Sequence, residues 1–295
     1  MVGPRISVVI PTRGRAESLR LCLEALSKQL DLSRDQVVVG VDGSDAPTEQ
    51  VAREFESVEW LWLDHRGTCA ARNKAVSASN GEVVLFIDDD IVVAPGLVER
   101  HREFHSAHQD LEDALVGLVT WDPSKPISKH MLWLEDGGPL FAFNLIADPT
   151  NVDPAHFCTA NVSVKKELLS RVDGPFDERI KRFTDVELGA RLAGQGMRLH
   201  YDSDAVGWHL RVDTPASTDQ RMREVGRASV LLDELHPGIA PPSAPRTGLR
   251  HLKAGIARVL TPLASVLPAS IADKVWSARA AWSYSEGRAS AGALR

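Results

Sequence analysis

Short apolar runs that alternate with helical patterns constrain the fold of this chain more than any other feature. Residues 6–10, 37–41 and 83–87 are mostly β-branched runs that suit buried strands, and residues 58–63 form a further one. Helical patterns fill residues 16–30 and 67–79, and Pro95 opens another helix to about His108. Strands that alternate with helices form right-handed βαβ units. We therefore predict an α/β fold with a Rossmann-like, mostly parallel central sheet and flanking helices.

The second half of the chain is less regular. Residues 120–156 are rich in Pro, Gly, Asp and Trp and predict a long loop or a cover. Residues 158–164 and 197–209 predict strands, and residues 165–172 and 185–194 predict helices. A proline-rich stretch at 237–248 predicts a linker.

Charge and cysteine content exclude several classes of protein. The net charge is −6, which argues against nucleic-acid binding, and the three cysteines lack metal-type spacing. Residues 246–295 nevertheless hold eight Lys or Arg and two acidic residues. Since the N-terminal apolar run is too short for a secretion signal and no run approaches the roughly 18 apolar residues of a membrane span, we expect a cytoplasmic protein.

Three adjacent aspartates, Asp88, Asp89 and Asp90, follow the apolar run at 83–87. Ligands of parallel sheets gather at the carboxyl ends of strands, so residues 11–15, 42–45 and 88–90 should converge. On an extended segment Asp88 and Asp90 would point to one side and Asp89 to the other. Converging carboxylates suit a hard divalent cation that also holds a diphosphate. A solvated acidic turn is the alternative.

Seven segments occur in an order that resembles the family 2 glycosyltransferases, which have the GT-A fold. The resemblance covers about residues 4 to 210 and rests on PTRGR (11–15), VDGSD (41–45), RGTCAARNKA (66–75), FIDDDIVVAPG (86–96), ANVSVKKELLSRVDGPFDE (160–178), FTDVELGARLAGQG (183–196) and VGWH (206–209). It implies a metal-dependent, inverting transfer of sugar from a nucleotide-diphosphate sugar, with a UDP-sugar expected, to an acceptor hydroxyl on a glycan, a lipid-linked molecule or a small molecule.

The resemblance also implies roles on the donor side of the site. Asp42 would accept a hydrogen bond from the base N–H, and Arg72 would lie near the base and diphosphate. Asp90 would bind Mn²⁺ or Mg²⁺, with His209 completing the coordination. The other residues at matching positions would line the nucleotide pocket or hold the ribose or a metal-bound water: Pro11, Thr12, Arg15, Asp88 and Asp89.

On the acceptor side, the resemblance implies that Asp185 is the general base. The family usually has an acid just before this base, and this chain has Thr184. Residues Thr184 and Glu187 also match a capping box, which would place Asp185 in the first turn of a helix, and both roles are compatible. Asn161 falls where the family places residues under the sugar and acceptor.

The predicted domain organisation follows from these assignments. A GT-A catalytic domain would cover residues 1–236, with its nucleotide-binding half at about 1–115 and its acceptor-binding half at about 116–236. A linker at 237–248 and a basic helical segment at 249–295 would follow.

The basic segment has apolar residues at helical spacing: Leu249, Leu252, Ile256, Val259, Leu263 and Val266. Two alternatives are open for it. It lies on an anionic membrane surface near a lipid-linked acceptor, or it is a helical subdomain that packs on the catalytic domain or forms a homodimer.

Two other functions are alternatives to glycosyl transfer. A nucleotidyltransferase would be expected to show a glycine-rich phosphate loop with a lysine near the first strand, and PTRGR has one glycine and no lysine. A degenerate sugar-nucleotide binding module would have lost the base, and Asp185 is present.

Overall fold

The computed structural model describes residues 3–241 and 248–292 and divides into two compact units. The first unit holds the residues up to Asp122, Ile146–Arg179 and Thr184–Arg211. The second holds Pro123–Leu145, Ile180–Phe183 and the chain from Val212 onward. Residues 242–247 of the predicted linker and 293–295 of the basic segment lie outside the described residues.

The first unit is built on one mixed sheet of eight strands. The strands are β1 (Ile6–Thr12), β2 (Gln36–Asp42), β3 (Glu59–Leu63), β4 (Val83–Ile87), β5 (Ile91–Val93), β6 (Asp113–Trp121), β7 (Asn161–Lys165) and β8 (Arg198–His209). Their order is β3-β2-β1-β4-β7-β6-β8-β5. Neighbouring strands are parallel among β3, β2, β1 and β4 and between β6 and β8, whereas β7 and β5 run antiparallel to their neighbours.

The helices are α1 (Ala16–Ser27), α2 (Ala46–Glu54), α3 (Thr68–Ala78), α4 (Leu97–Ala107), α5 (Lys129–Glu135), α6 (Lys166–Leu169), α7 (Thr184–Gly194), α8 (Pro215–Leu235), α9 (Gly248–Leu260) and α10 (Ala269–Gly292). Strands β1 and β4 are buried along their whole length and form the centre of the core. Helix α3 lies directly on β2, because a Cβ atom at Gly40 would be 2.5 Å from the Ala71 carbonyl oxygen. This close approach sets the position of Arg72, the next residue.

The second unit is helical and centres on α8 and α10. The two helices meet backbone to backbone: a Cβ at Gly226 would be 2.1 Å from the Tyr284 carbonyl oxygen, and one at Gly287 would be 2.0 Å from that of Arg223. Ion pairs join Arg279 to Asp219 and Arg288 to Asp233 on the same helices. The aromatic rings of Trp133 and Trp276 pack 5.7 Å apart.

The α/β prediction is confirmed, and the structure adds elements that the sequence patterns did not indicate. Residues 120–156 are not one long loop, since β6 ends at Trp121 and α5 lies within the stretch. Strand β5 and helix α2 were also not predicted. Within the described residues, no helix combines the length and apolar character needed to cross a membrane.

Candidate active site

The polar ends of β2, β1 and β4 converge, as the sequence predicts. These strands are neighbours and parallel, so Asp42, Thr12 and Asp88 emerge at the same edge of the sheet. The Thr12 hydroxyl donates a hydrogen bond of 2.7 Å to Asp89, across 77 residues of sequence. Arg13 likewise reaches Asp42, at 3.3 Å.

The three aspartates form a turn, which corrects the predicted alternation of their side chains. Strand β4 ends at Ile87, and the Ile91 amide donates to the Asp88 carbonyl at 3.1 Å. Asp89 and Asp90 therefore share one guanidinium, that of Arg15, at 2.8 and 2.7 Å. The Asp88 carboxylate instead pairs with Arg72.

Asp89 is the buried member of the cluster. Burial raises the pKa of its carboxyl to about 7, and the neighbouring Asp90 adds to the rise, whereas Arg15 and Thr12 oppose it. Its oxygens already accept hydrogen bonds from Thr12 and Arg15. Asp89 therefore holds Thr12 and Arg15 in place, and the exposed Arg15 side chain is the group that reaches outward.

Asp90 and His209 form the pair that suits a metal ion. Strand β8 ends at His209, and the Leu210 amide donates to the Asp90 carbonyl at 2.9 Å, which fixes the two segments together. Asp90 Oδ1 lies 3.8 Å from His209 Nε2. His209 Nδ1 accepts the Arg211 amide at 3.2 Å, so the neutral ring carries its proton on Nε2, and a cation bound there requires the other tautomer.

The residues predicted to bind the nucleotide lie on β1, β2 and the start of α3. Asp42 is buried, and its Oδ1 accepts the Gly67 amide at 2.8 Å while Oδ2 accepts Arg13. Pro11 lies buried in β1 beside Gly40 of β2. Arg13 was not predicted from the sequence. Its exposed guanidinium forms an ion pair with Asp42 Oδ2, the oxygen that a base would need.

Asp185 lies in the first turn of α7, and its carboxylate is held from two directions. Oδ1 accepts the hydroxyls of Thr159 and Thr184 at 2.8 and 3.0 Å, and Oδ2 accepts the Thr159 amide at 3.2 Å. The Thr184 hydroxyl donates to Asp185, and the buried Glu187 forms an ion pair with Arg191. Thr159, which was not predicted from the sequence, contacts the candidate base through both its hydroxyl and its amide.

Arg72 links the aspartate cluster to Asp185. Its guanidinium is 2.6 Å from Asp88 Oδ1 and 3.7 Å from Asp185 Oδ1. The side chain is buried and lies over the ring of Phe176, 5.3 Å from the centroid. Asn73 fixes Phe176 in turn, because it hydrogen-bonds both the amide and the carbonyl of that residue.

The structure contradicts the predicted contact between Asn161 and the sugar. Asn161 is fully buried in β7. Its amide nitrogen donates to the carbonyls of Leu118 and Ala205, and its oxygen is 2.9 Å from His101 Nε2. Both amide hydrogens of Asn161 and one lone pair of its side-chain oxygen are therefore used inside the core.

The sequence of this chain is similar to those of known glycosyltransferases. The sequence profile of Glycosyl transferase family 2 matches residues 7–168. Validoxylamine A glucosyltransferase of Streptomyces hygroscopicus subsp. jinggangensis is 27% identical in a 271-residue alignment that covers 81% of this chain. The aligned region spans 62% of that relative's length.

Solved GT-A glycosyltransferases share the fold. Staphylococcus aureus TarS 1–349 in complex with UDP-GlcNAc superposes with a TM-score of 0.59 at 16% identity, covering 99% of this chain and 92% of that one. The mannosyltransferase PcManGT of Pyrobaculum calidifontis, in complex with GDP-Man and Mn²⁺, gives 0.57 at 17% identity, covering 99% and 76%. The family profile matches more than half of the residues of this chain, so the chain belongs to glycosyl transferase family 2.

Proposed function

We propose that this chain is a metal-dependent, inverting glycosyltransferase that uses a UDP-sugar as donor. The observation that carries the proposal is the link through Arg72 between Asp185 and Asp88, because it joins a candidate base to the carboxylate cluster at the strand ends. The chain's family membership and the activity named for its relatives support the same chemistry.

On the donor side, Asp42 would accept the N–H of the base. Its Oδ2 becomes available when the exposed Arg13 swings away, which leaves Arg13 free to pair with a phosphate. Arg15 would take a second phosphate contact, since half of its side chain is exposed beside the cluster. UDP and UDP-GlcNAc in TarS structures support a uridine donor, whereas GDP-Man in the mannosyltransferase is the alternative.

Asp90 and His209 can hold a divalent cation once His209 gives up the Arg211 amide and binds through an unprotonated Nε2. Within residues 3–241 and 248–292 no group of three His, Cys, Asp or Glu side chains is arranged to hold one, so the protein would supply two ligands, Asp90 and His209. Ions such as Mg²⁺ often bind through one or two side chains together with substrate phosphates. The bound ion would supply Lewis-acid neutralisation of the departing diphosphate.

The transfer itself needs a base, and Asp185 would supply it. An acceptor hydroxyl oxygen attacks the anomeric carbon, the bond from that carbon to the diphosphate oxygen breaks, and the hydroxyl proton passes to Asp185. Oδ2 accepts the Thr159 amide and keeps further lone pairs for that proton. A single displacement inverts the anomeric configuration.

The test is Asp185→Asn, with UDP release from a UDP-sugar panel as the readout of transfer to added hydroxyl acceptors and to water. We expect transfer to fall about 10²–10⁴-fold while UDP binding is retained, because general-base help is typically of that size. Asp204→Asn, which changes an exposed carboxylate of β8, is the matched control and should leave both unchanged.

Normal transfer by Asp185→Asn would show that Asp185 is not the base. Release of pyrophosphate from a nucleoside triphosphate and a sugar phosphate would instead identify a nucleotidyltransferase. Tight UDP binding by the wild type with no turnover of any donor would identify a non-catalytic binding module.

A further inference from the structure

Helix α9 and the turn after it direct large aliphatic side chains outward. Ile256, Val259, Leu263 and Val266 recur at spacings of three and four and are 50, 76, 54 and 77% exposed. We call these four residues the aliphatic ridge. A helix of a soluble protein normally turns its apolar stripe towards the core. A stripe of large aliphatic side chains that faces solvent therefore indicates an interaction surface.

The same segment packs inward through small residues. Ala254, Ala257 and Ala264 are buried, at 4, 3 and 1% exposure. Within α9, at 100° per residue, Ala254 and Ala257 lie on the side turned away from Ile256 and Val259. The orientation of α9 is therefore the reverse of that expected for a helix whose large apolar residues stabilise the fold.

The sequence around the ridge is basic. No Asp or Glu occurs from residue 237 to 272, although the whole chain has a net charge of −6. Four basic residues, Arg246, Arg250, Lys253 and Arg258, stand in this part of the sequence. The exposed Lys253 lies beside the ridge, whereas the exposed Arg258 contacts Glu286 of α10 at 3.4 Å. An apolar stripe flanked by basic residues matches the chemistry of a membrane surface that exposes anionic headgroups.

We propose that the aliphatic ridge docks this protein on an anionic phospholipid surface, with the helix lying in the plane of the membrane. A second copy of the chain fits less well. Four aliphatic side chains present much less than the roughly 800 Å² that each partner buries in a stable dimer. A two-fold contact would also place the basic flanks of two copies against each other. This proposal is independent of the proposed function.

The test is co-sedimentation of the full chain with vesicles of phosphatidylcholine and phosphatidylglycerol, and with vesicles of phosphatidylcholine alone. The wild type should bind the anionic vesicles, and added salt should weaken the binding. Val259→Ser/Val266→Ser should lower the partition coefficient about tenfold or more, since it removes apolar surface that enters the membrane. Lys253→Gln/Arg258→Gln should lower binding and its salt dependence.

Leu32→Ser/Leu145→Ser is the matched control, because both leucines are exposed elsewhere and should leave vesicle binding unchanged. Circular dichroism of each variant checks that it is folded. The proposal is overturned if the wild type does not bind anionic vesicles, or if a folded Val259→Ser/Val266→Ser binds them as the wild type does. A dimer that this variant converts to a monomer, without any vesicle binding, would assign the ridge to a second copy.

Discussion

Thr159 is the residue whose role depends most directly on the proposed base. Its hydroxyl and its amide both donate to Asp185, which lies 26 residues away in sequence. Thr159→Val keeps the volume and the amide but removes the hydroxyl. We expect kcat to fall about 10–100-fold, because a hydrogen bond to a charged group contributes about 1.5–3 kcal/mol, and UDP affinity to stay unchanged.

Thr159→Ser is the control for this prediction, since it restores the hydroxyl and should recover most of kcat. Equal activity of the Val and Ser variants would limit Thr159 to packing.

Asn161 shows that local sequence is not enough to predict the role of a single residue. Thr159 and Asn161 are two positions apart, and both are polar residues in a stretch that the family resemblance associates with the sugar. The difference between them is set by partners from distant segments: Asp185 for Thr159, and Leu118 and Ala205 for Asn161. Local sequence does not contain these contacts, so it could not show that Asn161 is buried in the core while Thr159 reaches Asp185.

At the scale of elements, α4 and β7 are joined by a buried polar network that makes stability depend on pH. His101 contacts Ser163 and Asn161 at 2.7 and 2.9 Å, and His105 contacts Ser163 at 2.8 Å. Burial lowers the pKa of His101 to about 4 and lowers that of His105 as well. Both rings are therefore neutral in the folded protein at pH 7.

The sign of the effect follows from proton binding. The unfolded His101 titrates near pH 6.5, so between pH 6.5 and 4 the unfolded chain binds a proton that the folded chain excludes. Stability contributed by the neutral ring is complete above pH 6.5 and is lost as the pH falls. We expect His101 alone to lower the free energy of unfolding by about 2 kcal/mol between pH 7.5 and 5.

Urea unfolding at several pH values measures this dependence. His101→Gln should be less stable at pH 7.5, because it disturbs the network, but should lose less stability between pH 7.5 and 5 than the wild type does. Parallel stability curves for the two proteins would contradict the assignment of this pH dependence to His101.

The packing of α3 on β2 gives a second element-scale prediction. A methyl group at Gly40 would be 2.5 Å from the Ala71 carbonyl oxygen, so Gly40→Ala must push α3 away from the sheet. We expect a loss of about 1–3 kcal/mol in unfolding free energy and weaker activity, since α3 carries Arg72. Gly194→Ala is the control, because its Cβ meets no atom within 4 Å. Unchanged stability of Gly40→Ala would contradict this close packing.

The elements that sequence predicted are those with a strong local signal. Strands β1, β2 and β4 are nearly continuous buried apolar runs, so their pattern alone identifies them. Helix α2 buries only Thr48 and Val51 among its described residues, and β5 has three residues, so neither shows a clear period. The antiparallel position of β7 beside β4 depends on pairing between distant segments, for which the sequence has no local signature.

At the scale of the whole molecule, the division into units is discontinuous in sequence. The second unit contains Pro123–Leu145, Ile180–Phe183 and the chain from Val212 onward, so α8 groups with α10. The sequence analysis proposed contiguous domains, because composition marks a boundary only where the chain shows a proline-rich stretch. Within the second unit, the four residues Ile180–Phe183 include Ile180 and Phe183 of an apolar cluster with Leu232 and Ala240.

Ligand binding to the folded site links the donor and the metal to the stability of the first unit. All the proposed donor and metal residues belong to that unit, and a ligand that binds only the folded state raises its stability. At a hundred times its Kd, UDP with Mn²⁺ should add about 2.7 kcal/mol to the unfolding free energy and raise Tm by several degrees. GDP at equal concentration should give a smaller shift.

A thermal-shift series with EDTA and Asp90→Asn separates the metal from the nucleotide. EDTA should reduce the UDP-induced shift of the wild type, because Asp90 and His209 would lose the cation that they are proposed to hold. Asp90→Asn removes one of the two proposed ligands, so its smaller shift should not change between Mn²⁺ and EDTA. Asp204→Asn should behave as the wild type does. Equal shifts of the wild type and Asp90→Asn in Mn²⁺ would exclude Asp90 as a metal ligand. A larger shift with GDP than with UDP is a separate outcome: it would identify guanine as the donor base and would not affect the proposed metal site.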